Sequence, residues 1–163
     1  MRKTTMELSL RPRRASDDGF IYRLSDRVFA AYSVHAGSAM ASMLSAPGAR
    51  AMVAEHGRAQ VGFFVVDLEH LGRPFGPWQR PAVAYLSAIS VQPDLHGRGV
   101  GRFLLHHAEE TARRDGAVSM SLMTADTNGR AQHLFESAGY QRLFVVPRAY
   151  ARGQRGIVMT RAL

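Results

Sequence analysis

Gly97, Gly99 and Gly101 alternate with Arg98 and Val100, and Arg102 follows at once. Within six residues the chain therefore offers three positions without side chains and two guanidinium groups. Glycines at this spacing let backbone amides approach a phosphate, because no Cβ holds the anion away. If a helix starts at the turn, its first amides and the positive end of its dipole point at the same anion. Arg98 and Arg102 would add charge-assisted hydrogen bonds, each contribution being on the order of 1 kcal/mol or more, so the turn is chemically suited to a diphosphate. An isolated pair of glycines would ask for nothing beyond a change of direction between strand and helix. A phosphate loop of the nucleotide-hydrolysing kind fails because no Gly-Lys-Ser/Thr follows, and a dinucleotide fingerprint fails because Leu104 stands where the third glycine belongs.

The surrounding residues supply the elements that must position such a turn. Val83 to Val91 has strand composition and stops at Pro93, while Val100, Phe103, Leu104, Ala108 and Ala112 mark one face of a helix that ends on Arg113, Arg114 and Gly116. Val118 to Thr124 reads as a further strand, and Asn128 as the N-cap of a helix whose apolar face is Ala131, Leu134, Phe135 and Ala138. Leu143 to Val146 and Gly156 to Leu163 read as two last strands. Upstream, Met6 to Arg11 alternates like a half-buried strand, and Ser16 and Asp17 offer N-cap oxygens to a helix running to about Tyr32. Ser33 to Ala49 holds a short, loosely packed helix, Ala51–Glu55 and Val61–Leu68 compose a hairpin, and the three prolines between Glu69 and Pro81 demand a surface excursion. The order predicts an α/β fold: a single domain over residues 1–163 with a mixed sheet of about seven strands and helices on both faces.

Composition narrows the chemistry further. The 163 residues are 46% hydrophobic, enough for one core, and no apolar run reaches the roughly 20 residues of a membrane-spanning helix, so no membrane partner is expected. The N-terminus lacks an apolar stretch of signal-peptide length, and a cytoplasmic location is expected. Without any cysteine, disulfides, thiolate metal sites and a cysteine nucleophile are excluded. The net charge of +8 rests almost wholly on arginine, Lys3 being the only lysine, which favours anionic partners in general. The arginines are scattered and no aromatic RNA-binding signature accompanies them, so dedicated nucleic-acid binding is not expected. His106, His107, Glu109 and Glu110 read as a solvated helix face, and no metal is expected.

The run Leu86-Ser87-Ala88-Ile89-Ser90-Val91-Gln92-Pro93 followed by His96-Gly97-Arg98-Gly99-Val100-Gly101 resembles the acetyl-CoA motif of the GNAT superfamily of N-acetyltransferases, Gln/Arg-x-x-Gly-x-Gly/Ala, with His96 in the first position. Asn128-x-x-Ala131-x-x-Leu134-Phe135-x-x-x-Gly139-Tyr140 resembles a second segment of the same family at the same spacing. The resemblance implies a sheet with a splayed central strand pair, acetyl-CoA as acyl donor, and a primary amine as acceptor, attacked within a ternary complex. It implies that Ile89, Ser90 and Val91 pair with the pantetheine arm, that His96, Gly97, Arg98, Gly99, Val100, Gly101 and Arg102 hold the pyrophosphate, and that Asn128 and Phe135 face the pantetheine. A homodimer is compatible with it.

Three departures bear on catalysis. Phe135 stands where relatives often carry a tyrosine that protonates the leaving thiolate, and Tyr85 and Met123 stand where relatives place a base glutamate. Strand alternation puts Tyr85 and Ser87 on one face, and Ser119 and Ser121 on the side of Met123, from which a water chain through Tyr85 could relay the amine's proton. The alternative is that these polar groups satisfy one another. Phe29, Tyr32, His35 and Trp78 would border an acceptor cleft, and Asp67, Glu69, His70 and Asp126 are the polar candidates at strand ends for attracting a cationic amine. The same departures motivate a second reading, a GNAT-like module that binds an acyl-CoA without turnover and regulates a partner.

Overall fold

The computed structural model describes residues 6–74, 76–78 and 80–163. In chain order the elements are strand β1 (Ser9–Pro12), helix α1 (Asp18–Phe29), helix α2 (Ala36–Ser45), β2 (Ala49–His56), β3 (Ala59–His70), β4 (Ala82–Val91), α3 (Val100–Arg114), β5 (Ala117–Ala125), α4 (Gly129–Ser137), β6 (Gln141–Val146) and β7 (Gly156–Ala162). The strands form one mixed sheet in the order β1-β2-β3-β4-β5-β7-β6, so the α/β expectation and its seven strands are met.

Helices cover both faces because the strands are apolar on both sides. Phe64, Val66 and Leu68 of β3 and Ala84 and Leu86 of β4 pack with Leu104, Leu105, Ala108 and Ala112 of α3, a helix whose buried positions recur every three or four residues. Phe63 and Val65 of β3, Val53 of β2 and Ala88 of β4 pack on the other face with Phe20, Ile21 and Leu24 of α1 and Met40 of α2. Alternation along β3 thus sends successive side chains to two separate cores.

Two irregularities of β4 set the geometry at the centre of the sheet. Its pairing with β3 shifts between Val65 and Val66, which face Ala88 and Leu86, so Ser87 has no cross-strand partner and sits in a bulge. The bulge re-phases the strand: Ala82, Ala84 and Leu86 face α3 before it, whereas Ala88 faces α1 and α2 after it. Its parallel pairing with β5 is confined to Ala82, Ala84 and Tyr85, and from Leu86 onward the two strands part. β5 itself continues to Ala125, paired on its other edge with β7 from Ser119 onward.

The N-terminal cap of α1 differs from expectation. Asp17 closes a short 3-10 turn, Ala15–Asp17, and its carboxylate accepts from Arg11 (2.7 and 2.9 Å), the Arg14 backbone amide (2.6 Å) and Gln60 (2.7 Å) instead of capping α1. The stronger cationic donor wins that competition. Among the described residues no helix is long and apolar enough to cross a membrane.

Candidate functional site

Where β4 parts from β5, a cleft of about 1570 Å³ opens between β4, the turn after it, α1 and α4. A strand that has lost one neighbour keeps its outward amides and carbonyls, and these must find partners in whatever fills the gap. Ile89, Ser90 and Val91 line it from β4. Ser90 is 2% exposed, and its Oγ has no hydrogen-bond partner. A buried hydroxyl without a partner costs free energy, and it would gain from any polar group brought within its reach.

The glycine turn forms the next wall. Gly97 and Gly99 adopt φ of 75° and 88°, a left-handed conformation that side chains resist, and a Cβ at either would meet nothing within 4 Å, so backbone conformation alone calls for glycine there. Gly99 caps α3, and the first amide to find its helical acceptor is Phe103, bonded to the Gly99 carbonyl at 3.0 Å. The amides ahead of it are those that a helix start leaves without helical partners, here at the mouth of the cleft. His96 also lines the cleft, and its Nε2 donates to the Val91 carbonyl at 3.1 Å, which ties the turn to the end of β4.

Arg98 and Arg102 are joined at the lining by Arg27 of α1 and Arg130 of α4. No carboxylate lies among the described lining residues, so the cleft concentrates positive charge with nothing inside it to neutralise that charge. The arrangement fits a long ligand with phosphates at one end and an amide-rich arm at the other. Among the described residues no group of three or more His, Asp or Glu is placed to hold a metal ion.

Asn128 reaches the cleft and accepts from the Ala131 amide at 3.2 Å, so it caps α4 while facing the space. Phe135 lines it too, 4% exposed and edge-on to Tyr140 with ring centroids 5.9 Å apart. Val100 does not line the cleft: its side chain is 1% exposed and belongs to the core under α3. Arg27, Arg130 and His133 line it although no motif in the sequence singles them out. Arg130 and His133 follow Asn128 and stand three residues apart on α4, a spacing that puts them on one face; Arg27 is brought in only by the packing of α1.

Tyr85 lies outside this lining. It sits at the last paired position of β4, where the splay begins, and is 42% exposed on the α1 and α2 side of the sheet. Burial still raises its phenol pKa above the ordinary value. No hydrogen bond joins Tyr85, Ser87, Ser119 and Ser121, and Ser121 pairs instead with Thr160 (Oγ to Oγ1, 3.0 Å). The bulge at Ser87 breaks the alternation on which a shared face with Tyr85 depended. His106 and His107 lie 3.6 Å from Glu110 on the outer side of α3, and Asp126 is bridged to Arg155 at 2.9 Å.

A splayed mixed sheet with a glycine-turn cleft is the fold of the GNAT acetyltransferases, and the solved structures that superpose on the chain agree. NAA60 of Arabidopsis thaliana in complex with acetyl-CoA matches with a TM-score of 0.81 at 12% identity, covering 96% of this chain and 99% of that one. The ribosomal-protein-S18-alanine N-acetyltransferase of Escherichia coli matches with a TM-score of 0.76 at 19% identity, covering 96% and 94%. The chain belongs to the acetyltransferase (GNAT) family, whose sequence profile matches residues 17–140. By sequence it is similar to the [ribosomal protein bS18]-alanine N-acetyltransferase of Salmonella typhimurium, 34% identical over 71 residues, 44% of this chain and 48% of that protein. It is also similar to an uncharacterised N-acetyltransferase of Methanocaldococcus jannaschii, 30% identical over 99 residues, 55% of this chain and 43% of that protein. The chain spans about half the length of the curated relatives it matches.

Proposed function

We propose that this protein is a single-domain cytoplasmic N-acetyltransferase that moves an acetyl group from acetyl-CoA to a primary amine by direct attack in a ternary complex. The observation that carries the reading is the splay of β4 from β5 above the glycine turn, which opens the cleft that Ile89, Ser90 and Val91 line. In this reading the unpaired edge of β4 from Ser87 to Val91 holds the amide-bearing arm of the donor as a strand would. Gly97, Gly99 and Gly101 bring backbone to the diphosphate, and Arg27, Arg98, Arg102 and Arg130 balance the phosphate charge. His96, bonded to Val91, keeps the turn in place, and Asn128 and Phe135 close the arm from α4.

The thioester carbonyl then lies beside amides of β4 freed by the splay. As the amine attacks, negative charge grows on that oxygen, and donors already aimed there stabilise it without reorganising. The amine nitrogen forms the new bond to the acetyl carbon, the carbon–sulfur bond breaks, and the amine's proton leaves to solvent or a nearby base. Phe135 cannot protonate the thiolate, but a thiol of pKa near ~8.5 is a serviceable leaving group without help. With no cysteine in the chain, a thioester-linked enzyme intermediate is ruled out.

A second reading, a regulatory acyl-CoA-binding module, is favoured by Phe135 and by the absence of carboxylates at Tyr85 and Met123. The two are separated by following thiol release from acetyl-CoA with a panel of small amines and of peptides with free N-termini, the latter chosen because relatives are named for acetylating an alanine of a ribosomal protein. Thiol release with any member supports the transferase. Binding of acetyl-CoA without release across the panel supports the regulator, and failure to bind it refutes both.

A further inference from the structure

Most carboxylates of this arginine-rich chain are spoken for. Among the described residues only Glu7, Asp67, Glu69 and Asp94 lack both an ion pair and a side-chain hydrogen bond. Three of these are exposed, where water is partner enough; Asp67 alone is half-buried. A partly desolvated carboxylate left without a donor is costly, and in a protein of net charge +8 the shortage is not one of cations.

Its position is specific. Asp67 stands directly across from Tyr85, and Tyr85 directly across from Ser121, which pairs with Thr160. Side chains at such partner positions share a face of the sheet. β3 alternates regularly here, so Asp67 follows Phe63 and Val65 on the α1 and α2 face, one step beyond the core those residues fill. The α2–β2 turn makes room for it: a Cβ at Gly48 would lie 2.7 Å from the Asp67 Oδ1. The polar row therefore crosses the sheet at the height where β4 begins to leave β5.

Aromatic rings gather at the same height. Tyr32, after α1, meets Tyr150, in the β6–β7 loop, edge to face with centroids 5.7 Å apart. That loop is pinned to the end of α1, the Ala151 amide donating to the Tyr32 carbonyl at 3.1 Å and Gln154 Nε2 to the Ala31 carbonyl at 2.8 Å. Burial, then the neighbouring Tyr85 and Tyr32 phenols, push the Tyr150 pKa up to about 12. Tyr32 also lines the cleft beside β4, which brings this aromatic pair to its edge.

We propose that Asp67 is a specificity-determining residue that holds the ammonium group of the acceptor, with Tyr32, Tyr85 and Tyr150 walling its carbon skeleton, so that this site selects primary amines attached to an apolar or aromatic body. Carboxylate and ring faces attract the same cation, by charge-assisted hydrogen bonding and by the ring quadrupole. The inference rests on the transferase reading and deepens it: of Asp67, Glu69, His70 and Asp126, only Asp67 is both unpartnered and aligned with Tyr85.

The test separates the two claims. Phenethylamine and its neutral analogue 2-phenylethanol, and a pentapeptide with a free N-terminus and its N-acetylated form, are titrated at pH 7 into protein saturated with coenzyme A. The wild type is expected to bind the ammonium member of at least one pair about tenfold more tightly than the neutral member, and Asp67→Asn to lose that preference while binding coenzyme A as the wild type does and melting no lower. The pair that shows the preference identifies the source of the amine, small molecule or peptide. Glu7→Gln, an exposed control, should retain it, and Asp67→Ser serves where Asp67→Asn does not fold. A preference that survives the loss of the carboxylate, or no preference in the wild type, overturns the assignment. Absence of thiol release with the preference intact would instead overturn the transferase reading and leave Asp67 as an ammonium site.

Discussion

Replacing Ser90 by alanine should make the empty protein more stable and its complex weaker, a pairing of signs that few alternatives share. The Ser90 side chain is 2% exposed and its Oγ has no partner, so the folded state bears the desolvation cost of a hydroxyl, about 1–3 kcal/mol, with nothing in return. Alanine removes that cost and leaves a void the size of one oxygen, which returns part of it. The net expectation is a gain of about 1 kcal/mol, seen as a rise in Tm of roughly 2–4 °C for a chain of this size. In the complex the sign reverses. If the hydroxyl bonds the amide-bearing arm of coenzyme A, its loss removes about 0.5–1.5 kcal/mol, a roughly twofold to tenfold rise in Kd. Thermal melts with and without saturating coenzyme A, alongside calorimetric titration, read both quantities on one sample, and the melting shift conferred by the ligand should shrink. A variant that melts lower than the wild type and binds coenzyme A unchanged would refute the reasoning, because Ser90 would then be satisfied within the protein and irrelevant to the cleft.

Single features carry the other expectations. Gly99→Ala and Gly116→Ala impose the same strain, φ being 88° and 87° with nothing within 4 Å of either added Cβ, so each should cost about 1–2 kcal/mol in denaturant unfolding. Only the Gly99 variant should also lose coenzyme A affinity, since Gly116 stands at the far end of α3. Asp17 has its pKa lowered to about 2, first by its hydrogen bonds from Arg11 and opposed by burial, and the side chain is only 3% exposed. A depressed carboxylate stabilises the fold fully above its ordinary value near 3.8 and loses that contribution as pH falls through about 2. Asp17→Asn should therefore melt lower at neutral pH and approach the wild type toward pH 2; with Arg11 itself 20% exposed and screened by water, the gap at neutral pH is on the order of 1–2 kcal/mol. Phe135→Tyr puts a proton donor in the cleft wall and should raise kcat up to about tenfold at pH 7, with the advantage vanishing above pH ~9, where a thiolate departs unaided. A pH profile of kcat identical to that of the wild type would mean that thiolate protonation does not limit turnover.

The donor side of this molecule is legible in its sequence for a physical reason. A phosphate must be met by backbone, backbone approaches only where side chains are missing or the chain turns left-handed, and both conditions write glycine at fixed spacing. Gly97, Gly99 and Gly101 therefore announce the turn, and the apolar periodicity of α3 and the strand composition of β4 say what lies on either side. Arg27 carries no such mark. It reaches the cleft only because α1 packs across the sheet from the far end of the sequence, and nothing local distinguishes it from the other arginines.

The acceptor side is hidden for two further reasons. The first is the bulge at Ser87. Alternation is a safe guide to a strand only while every residue has a partner, and one unpaired residue inverts the facing of all that come after it. Tyr85 and Ala88 thus belong to one face although their separation by three predicts opposite faces, and any relay built on Tyr85 and Ser87 by parity loses its basis. The second is that the proposed acceptor site draws on β3, β4, the turn after α1 and the loop after β6, each contributing one residue. In sequence Asp67 is one of several carboxylates near a strand end. It becomes singular only when every other half-buried carboxylate is seen to have found its donor, which is a property of the whole fold and of no segment. A site of this kind is read by asking which charge remains unpaired, and for this protein that question leads to the residue beside Tyr85.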